Sequence, residues 1–367
     1  MATNSMATLA VPGDVVVPRA HVDARRMIVG WLLACCALVF AMVVVGGITR
    51  LTHSGLSITE WQPIVGAVPP LSASDWNDAF AKYRETPEFR EVNHDMTLPE
   101  FKRIFWWEYV HRLLGRLIGV AFLVPYVGFL LRGRIPRGYA WPLAGVFVLG
   151  GLQGAVGWLM VASGLVDDPR VSQFRLAAHL GLAFAILAAM VWTALSLSFD
   201  RTADGRLPAV QRARALAIGV TLVVFVMVLL GALVAGTRAG FAYNTFPSMN
   251  GYVVPPEILM LTPRWKNFFW NMATVQFDHR VVGWLLAFAV PLLWWRLRAS
   301  GIPRRARRGG DALLAMVAVQ LALGIATLVN GVPLPLAALH QAGALVVFAL
   351  ALYVTHALRL RAAEAPQ

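Results

Sequence analysis

Four histidines are placed alike, two in each half of the chain: His111 in EYVHRLLGR, His179 in LAAHLGL, His279 in QFDHRVVGW and His340 in LAALHQAG. Each is expected within a turn or two of the start of a long apolar segment, and an ionisable side chain at membrane depth is a functional-site hypothesis by default. Two matched pairs point to iron held inside helical bundles. Zinc is the competing metal, yet structural zinc takes four protein ligands and catalytic zinc three plus a water. Two imidazoles per bundle suit the two axial positions of a haem, whose macrocycle already supplies four nitrogens.

Glu108 precedes His111 by three residues, so both project from one helix face. A carboxylate there is costly to bury unless it is paired or used. One reading is a hydrogen bond that orients a ligating imidazole; the other is acid-base or charge-stabilising chemistry beside the ligand. The matching position in the second half is Gln276, which cannot ionise, and this asymmetry favours the chemical role. Arg112 and Arg280 follow their histidines directly, with Arg116 one turn further on. Such cations either reach lipid headgroups or pair with haem propionates. His21, His53, His94 and His356 have no counterpart in the other half, and solvated structural roles are expected for them.

The elements that must position these residues are transmembrane helices. Of 367 residues, 58% are hydrophobic and only 14% charged, with a mean hydropathy of +0.63, a composition outside the range of soluble domains. Spans of roughly 20 apolar residues are predicted near 27–49, 105–131, 139–163, 175–199, 213–235, 270–295, 311–330 and 336–358. The runs are continuously apolar instead of alternating, which excludes a barrel.

The net charge of +13 does not signal nucleic acid, because its distribution follows the loops. Arg25 and Arg26, Arg132 to Arg137, Arg201 to Arg214, Arg296 to Arg308, and Arg359 and Arg361 occupy alternate connections. The intervening loops carry most of the acids, including Asp75, Asp78, Glu85, Glu88, Glu91, Asp167 and Asp168. Positive-inside bias puts both termini in the cytoplasm of a bacterial inner-membrane protein whose first span is retained. Cys35 and Cys36 are adjacent within that span and read as small apolar packing residues, not a redox pair.

An internal repeat organises the chain. VVGGITRLTHSGLSITEWQPIVGAVPP resembles LLGALVAGTRAGFAYNTFPSMNGYVVPP, and EYVHRLLGRLIGVAFLVP matches QFDHRVVGWLLAFAVPLL. Gln153 and Gln320 each stand four residues before a glycine. The expected architecture is an all-α integral membrane protein of eight helices, arranged as two pseudo-symmetric four-helix bundles in parallel tandem repeat. Its parts are a cytoplasmic tail at 1–26, a first unit at 27–199 with a long outer loop at 50–104, a linker at 200–212, a second unit at 213–358 and a tail at 359–367. In that loop TEWQP, with Trp106 and Trp107, either caps a cofactor or belongs to an aromatic belt.

Together GGITRLTHSGLSITEW, EYVHRLLGR, VAGTRAGFAYNTFPSMNG, FDHR and LHQAG resemble the haem A synthase family, in the subgroup shared by bacteria and mitochondria, from about Val44 to Tyr353. The resemblance implies oxidation of the C8 methyl of haem O to a formyl group by two successive hydroxylations, giving haem A. It implies that His279 and His340 ligate a resident haem b, that His111 and His179 bracket the substrate haem O, and that Glu108 is catalytic; on the propionate reading given above, Arg112 joins the substrate-binding residues. It also implies contact with the upstream haem O synthase, the farnesyl-transferring enzyme. Some relatives carry a cysteine pair in an outer loop, which this chain lacks. The readings that compete with it are a two-haem b-type electron-transfer subunit and a transporter with a histidine proton relay.

Overall fold

The computed structural model describes residues 19–60, 65–165 and 171–361. Trp61 to Pro63 of TEWQP, Asp167, Asp168, the His21 side chain and the outermost parts of both tails lie outside the described residues.

Eight helices are long and apolar enough to cross a bilayer. They are α1 (Arg19–Leu51), α4 (Leu98–Leu131), α5 (Ala140–Gly164), α6 (Gln173–Ser198), α7 (Pro208–Thr237), α9 (Met272–Arg296), α10 (Arg304–Val329) and α11 (Leu334–Ala357). Three short helices, α2 (Ala73–Arg84), α3 (Pro87–Glu91) and α8 (Asn267–Trp270), decorate one end, called here the loop end. All eight expected spans are present, several longer than their apolar cores. Helix α4 starts at Leu98 rather than near 105, because Thr97 and Glu100 form a capping box and Pro99 occupies the first turn. Apolarity alone does not register such a polar opening turn.

In the first half α1 packs on α4 and α6, and α5 closes the ring between them; in the second, α7 and α10 each pack on α9 and α11. The arrangement is compatible with two four-helix bundles. The halves meet along α6–α7, α6–α11 and α1–α11, where Phe184 and Phe348 rings lie 5.3 Å apart. Polar ties cross this seam as well, among them Ser196 to His356 at 3.2 Å and Gln341 Nε2 donating to the Val43 carbonyl at 2.7 Å. Interhelical hydrogen bonds in lipid average only about 0.6 kcal/mol each, so packing dominates seam stability and the polar ties set register. Large apolar side chains such as Val124, Val148, Leu222 and Phe288 are exposed on the helix exteriors, as lipid-facing positions require.

Above α4, α2 and α3 build a small cap. Trp76 and Tyr83 are buried against Phe101, Phe105 and Tyr109 in the first turns of α4. Glu88 is buried inside this aromatic cap, where Tyr83 Oη donates to it at 3.3 Å and is itself held by Asn93 at 2.7 Å. Burial first, then the charge of Glu108, pushes the Glu88 carboxyl up to about 7, against the Tyr83 hydrogen bond. The folded cap therefore binds this proton more tightly than the unfolded segment does, and its stability falls as pH rises from 4.5 to about 7. Amide exchange over residues 73–92 is expected to quicken across that window. Glu88→Gln should flatten the dependence, and an unchanged profile in that variant would assign it to another group.

Candidate haem sites

Each of the four histidines lies in the loop-end part of its helix: His111 on α4, His179 on α6, His279 on α9 and His340 on α11. Each also faces a glycine on a neighbouring helix. A Cβ built at Gly46 would come within 2.9 Å of His111, at Gly157 within 3.0 Å of His179, at Gly231 within 3.4 Å of His279, and at Gly324 within 2.8 Å of His340. His111 and His179 are near enough to interact electrostatically, as are His279 and His340. The predicted pairs thus meet within their own halves.

Their unsatisfied chemistry fits a planar metal-bearing group. Nδ1 of His179, His279 and His340 is buried with no hydrogen-bond partner, a cost that persists unless something else engages the ring. Gln153 Nε2 lies 3.3 Å from His179 Nε2, and Gln320 donates to the His340 carbonyl at 2.8 Å. The Oε1 of both glutamines is also buried and unpartnered. Among the described residues no group of three or more His, Cys, Asp or Glu could hold an ion alone. Paired imidazoles fit haem iron, whose macrocycle brings most of its own ligands.

Glu108 has four donors around it and none of them is His111. Ser57 Oγ donates to Oε2 at 2.7 Å and the Ile58 amide at 2.9 Å. Arg112 donates to Oε1 through Nε at 3.0 Å and Nη2 at 2.6 Å. The reading in which Glu108 orients the His111 ring has no hydrogen bond behind it. An acceptor on every side is what an ionised carboxylate offers. Gln276, buried at the matching place, uses its amide in the opposite sense and donates to the Ala239 and Tyr243 carbonyls at 3.0 and 3.2 Å.

Arg112 and Arg280 do equivalent work. Arg112 reaches the Ile58 and Glu60 carbonyls at 2.8 and 3.2 Å, and Arg280 the Tyr243 and Thr245 carbonyls at 3.0 and 2.9 Å. Each pins the segment that follows the first helix of its half. Four of the five N–H groups of Arg112 are engaged in this way, which leaves one on Nη1 for the expected reach to a propionate.

Sequence reading missed Ser57, the Ile58 amide, Gly46 and Gly231; it marked Gly157 and Gly324 in the repeat but not that each faces a histidine. A signal for Ser57 existed: in the aligned repeat it stands opposite Ala242, so the hydroxyl is lost together with the carboxylate it serves. The solvated role expected for His356 is overturned. It is buried, bonded to Ser196 at 3.2 Å and Arg305 at 3.3 Å, and packed edge-on against Trp192, because α6, α10 and α11 converge around it. His53 and His94 are exposed, as expected.

Comparison with known proteins gives one consistent picture. The chain is 56% identical over 335 residues to a protein named haem A synthase from Nitrosospira multiformis, covering 91% of this chain and 94% of that one. It is 53% identical over 325 residues to one from Nitrosomonas eutropha, covering 88% and 91%. It is 47% identical over 349 residues to one from Paracoccus denitrificans, covering 94% and 91%. The profile of the COX15-CtaA family, described as cytochrome oxidase assembly proteins, matches residues 29–352. With all eight apolar helices and all four histidines inside relationships of that extent, the chain belongs to the COX15-CtaA family.

Proposed function

We propose that the chain is a haem A synthase, an oxidoreductase that converts the C8 methyl of haem O to a formyl group. The observation that carries this reading is the four-donor cage of Glu108 one turn from His111, with no ionisable counterpart in the second half. A carrier that only passed electrons would have no use for a carboxylate on one side alone.

The first unit, 27–199, receives the substrate between His111 and His179. The second, 213–358, holds a resident haem b through His279 and His340. When bound, that group supplies a one-electron relay toward an external acceptor. Each hydroxylation removes two electrons from the methyl carbon and, counted with water as the oxygen donor, releases two protons; the second hydroxylation gives a gem-diol that loses water to the formyl. Glu108 acts where charge develops on that carbon, as an electrostatic stabiliser or proton acceptor. Ser57 and Arg112 fix its position, and Arg112 shapes the substrate site through the segment it pins. The aromatic cap of α2 and α3 keeps water from the loop end.

Basic residues cluster away from the loop end, so the termini lie in the cytoplasm of a bacterial inner membrane and both haem sites near its outer face. Reporter fusions after Arg90 and after Arg305 should report opposite sides; the same side for both would overturn this orientation. Haem O is an apolar substrate, and its delivery by the upstream farnesyl-transferring enzyme takes place within the bilayer.

The direct test is expression with haem O present, followed by extraction and chromatography of the pigments. A formylated haem is expected beside haem b. Two unmodified b haems would favour an electron-transfer subunit, and no haem at all a transporter.

A further inference from the structure

Arg50 is a cation at the seam between the halves, and among the described residues no carboxylate pairs with it. It stands on α1 four residues beyond Gly46, the glycine that faces His111, and its Nη2 crosses to the carbonyl of Ala235 on α7. Ala235 in turn stands four residues beyond Gly231, which faces His279. The guanidinium therefore lies about one helical turn, roughly 5 Å, toward the loop end from both histidine–glycine contacts. A second cation, Arg238, acts on it electrostatically from the end of α7. Nearby His53, partly exposed beyond the end of α1, is held below its ordinary value by its partial burial and then by the charges of Arg238 and Arg50.

Two arginines brought together without a counter-ion cost energy unless an anion joins them. Nothing in the repeat requires Arg50, since the residue aligned with it in the second half is Ala235. On the reading given above, the anion has to be a carboxylate displayed at the edge of a porphyrin whose iron is held one turn deeper. We infer that Arg50, supported by Arg238, is a carboxylate-binding site that receives a propionate of the substrate porphyrin in the first half. Arg112 is less suited to this role, because four of its five N–H groups are already engaged. The Ala235 carbonyl accepts from Nη2 and anchors the guanidinium, and among the described residues Nε and Nη1 make no hydrogen bond.

The test is an optical titration of the purified protein, with its resident haem in place, by haem O and by haem O dimethyl ester. The ester removes both charges and keeps the ring. Wild-type protein should prefer the free acid by about tenfold or more, the size expected of one charge-assisted pair. Arg50→Gln should lose that preference while its resident haem spectrum stays unchanged, and Arg50→Lys should keep part of it. A wild-type preference that persists in Arg50→Gln would overturn the inference. Loss of the resident haem from Arg50→Gln, with the substrate preference intact, would move the propionate to the second half and overturn the first-half assignment. If wild-type protein shows the preference yet forms no formylated product, the proposed activity fails and the carboxylate site stands.

Discussion

Glu108→Gln is expected to insert normally, keep its resident haem and make haem A two to four decades more slowly, a barrier increase of roughly 3 to 5 kcal/mol. The isosteric amide keeps size and one acceptor oxygen but removes the charge. If the carboxylate were only a hydrogen-bonding peg, the substitution would cost little. The geometry makes that outcome unexpected, because Glu108 accepts from Ser57, the Ile58 amide and Arg112, and an amide nitrogen must then face at least one of these donors. Gln276 fits the matching position because two carbonyls, those of Ala239 and Tyr243, receive its amide N–H groups, while its oxygen faces Arg280. The assay is extraction and chromatography of haems from cells expressing the variant, where haem O or a hydroxymethyl intermediate should accumulate. An unchanged resident haem spectrum separates lost chemistry from lost structure. Near-normal haem A output would return Glu108 to a structural role.

His279→Ala and His340→Ala should each strip the resident haem or convert its six-coordinate, low-spin spectrum, since one of two axial ligands is missing. Outer partners of metal ligands alone are worth roughly 10–100-fold in affinity, and removal of a ligand should exceed that. His111→Ala and His179→Ala should leave the resident spectrum in place and impair substrate handling instead. The two pairs lie in separate helix rings, each imidazole against its own glycine, so loss at one site need not propagate to the other. Reduced-minus-oxidised spectra of the four purified variants are sufficient. Equal loss of resident haem from all four would contradict the division of labour between the halves.

Most of the fold was legible because lipid imposes a simple grammar: apolar runs of bilayer length, basic residues in alternate loops, and a repeat that placed the histidines in register. Helix starts such as Leu98 were less legible, since capping at Thr97 and Glu100 is polar and precedes the apolar run. The α2–α3 cap was missed because its aromatic core is assembled from three separated segments. At the site, Glu108 was readable as a break in the repeat, whereas its donors were not. The Ile58 amide has no side-chain signature, and Arg112 invites a ligand-binding reading until its partners are seen. His356 was misread for a related reason: a polar residue at a helix end looks solvated until α6, α10 and α11 are known to converge on it.

The tie between Gln341 and the Val43 carbonyl has a consequence in time. Residue 43 is among the first of the membrane core to leave the ribosome and residue 341 among the last. Gly47, where a Cβ would collide with the Gln341 amide, is adjacent to Gly46, against which His111 rests. One wall of the first-half site is therefore set only when the final helix docks, although all its own helices were synthesised long before. A chain stalled after α6 would hold both His111 and His179 and still present an open, unfinished cleft.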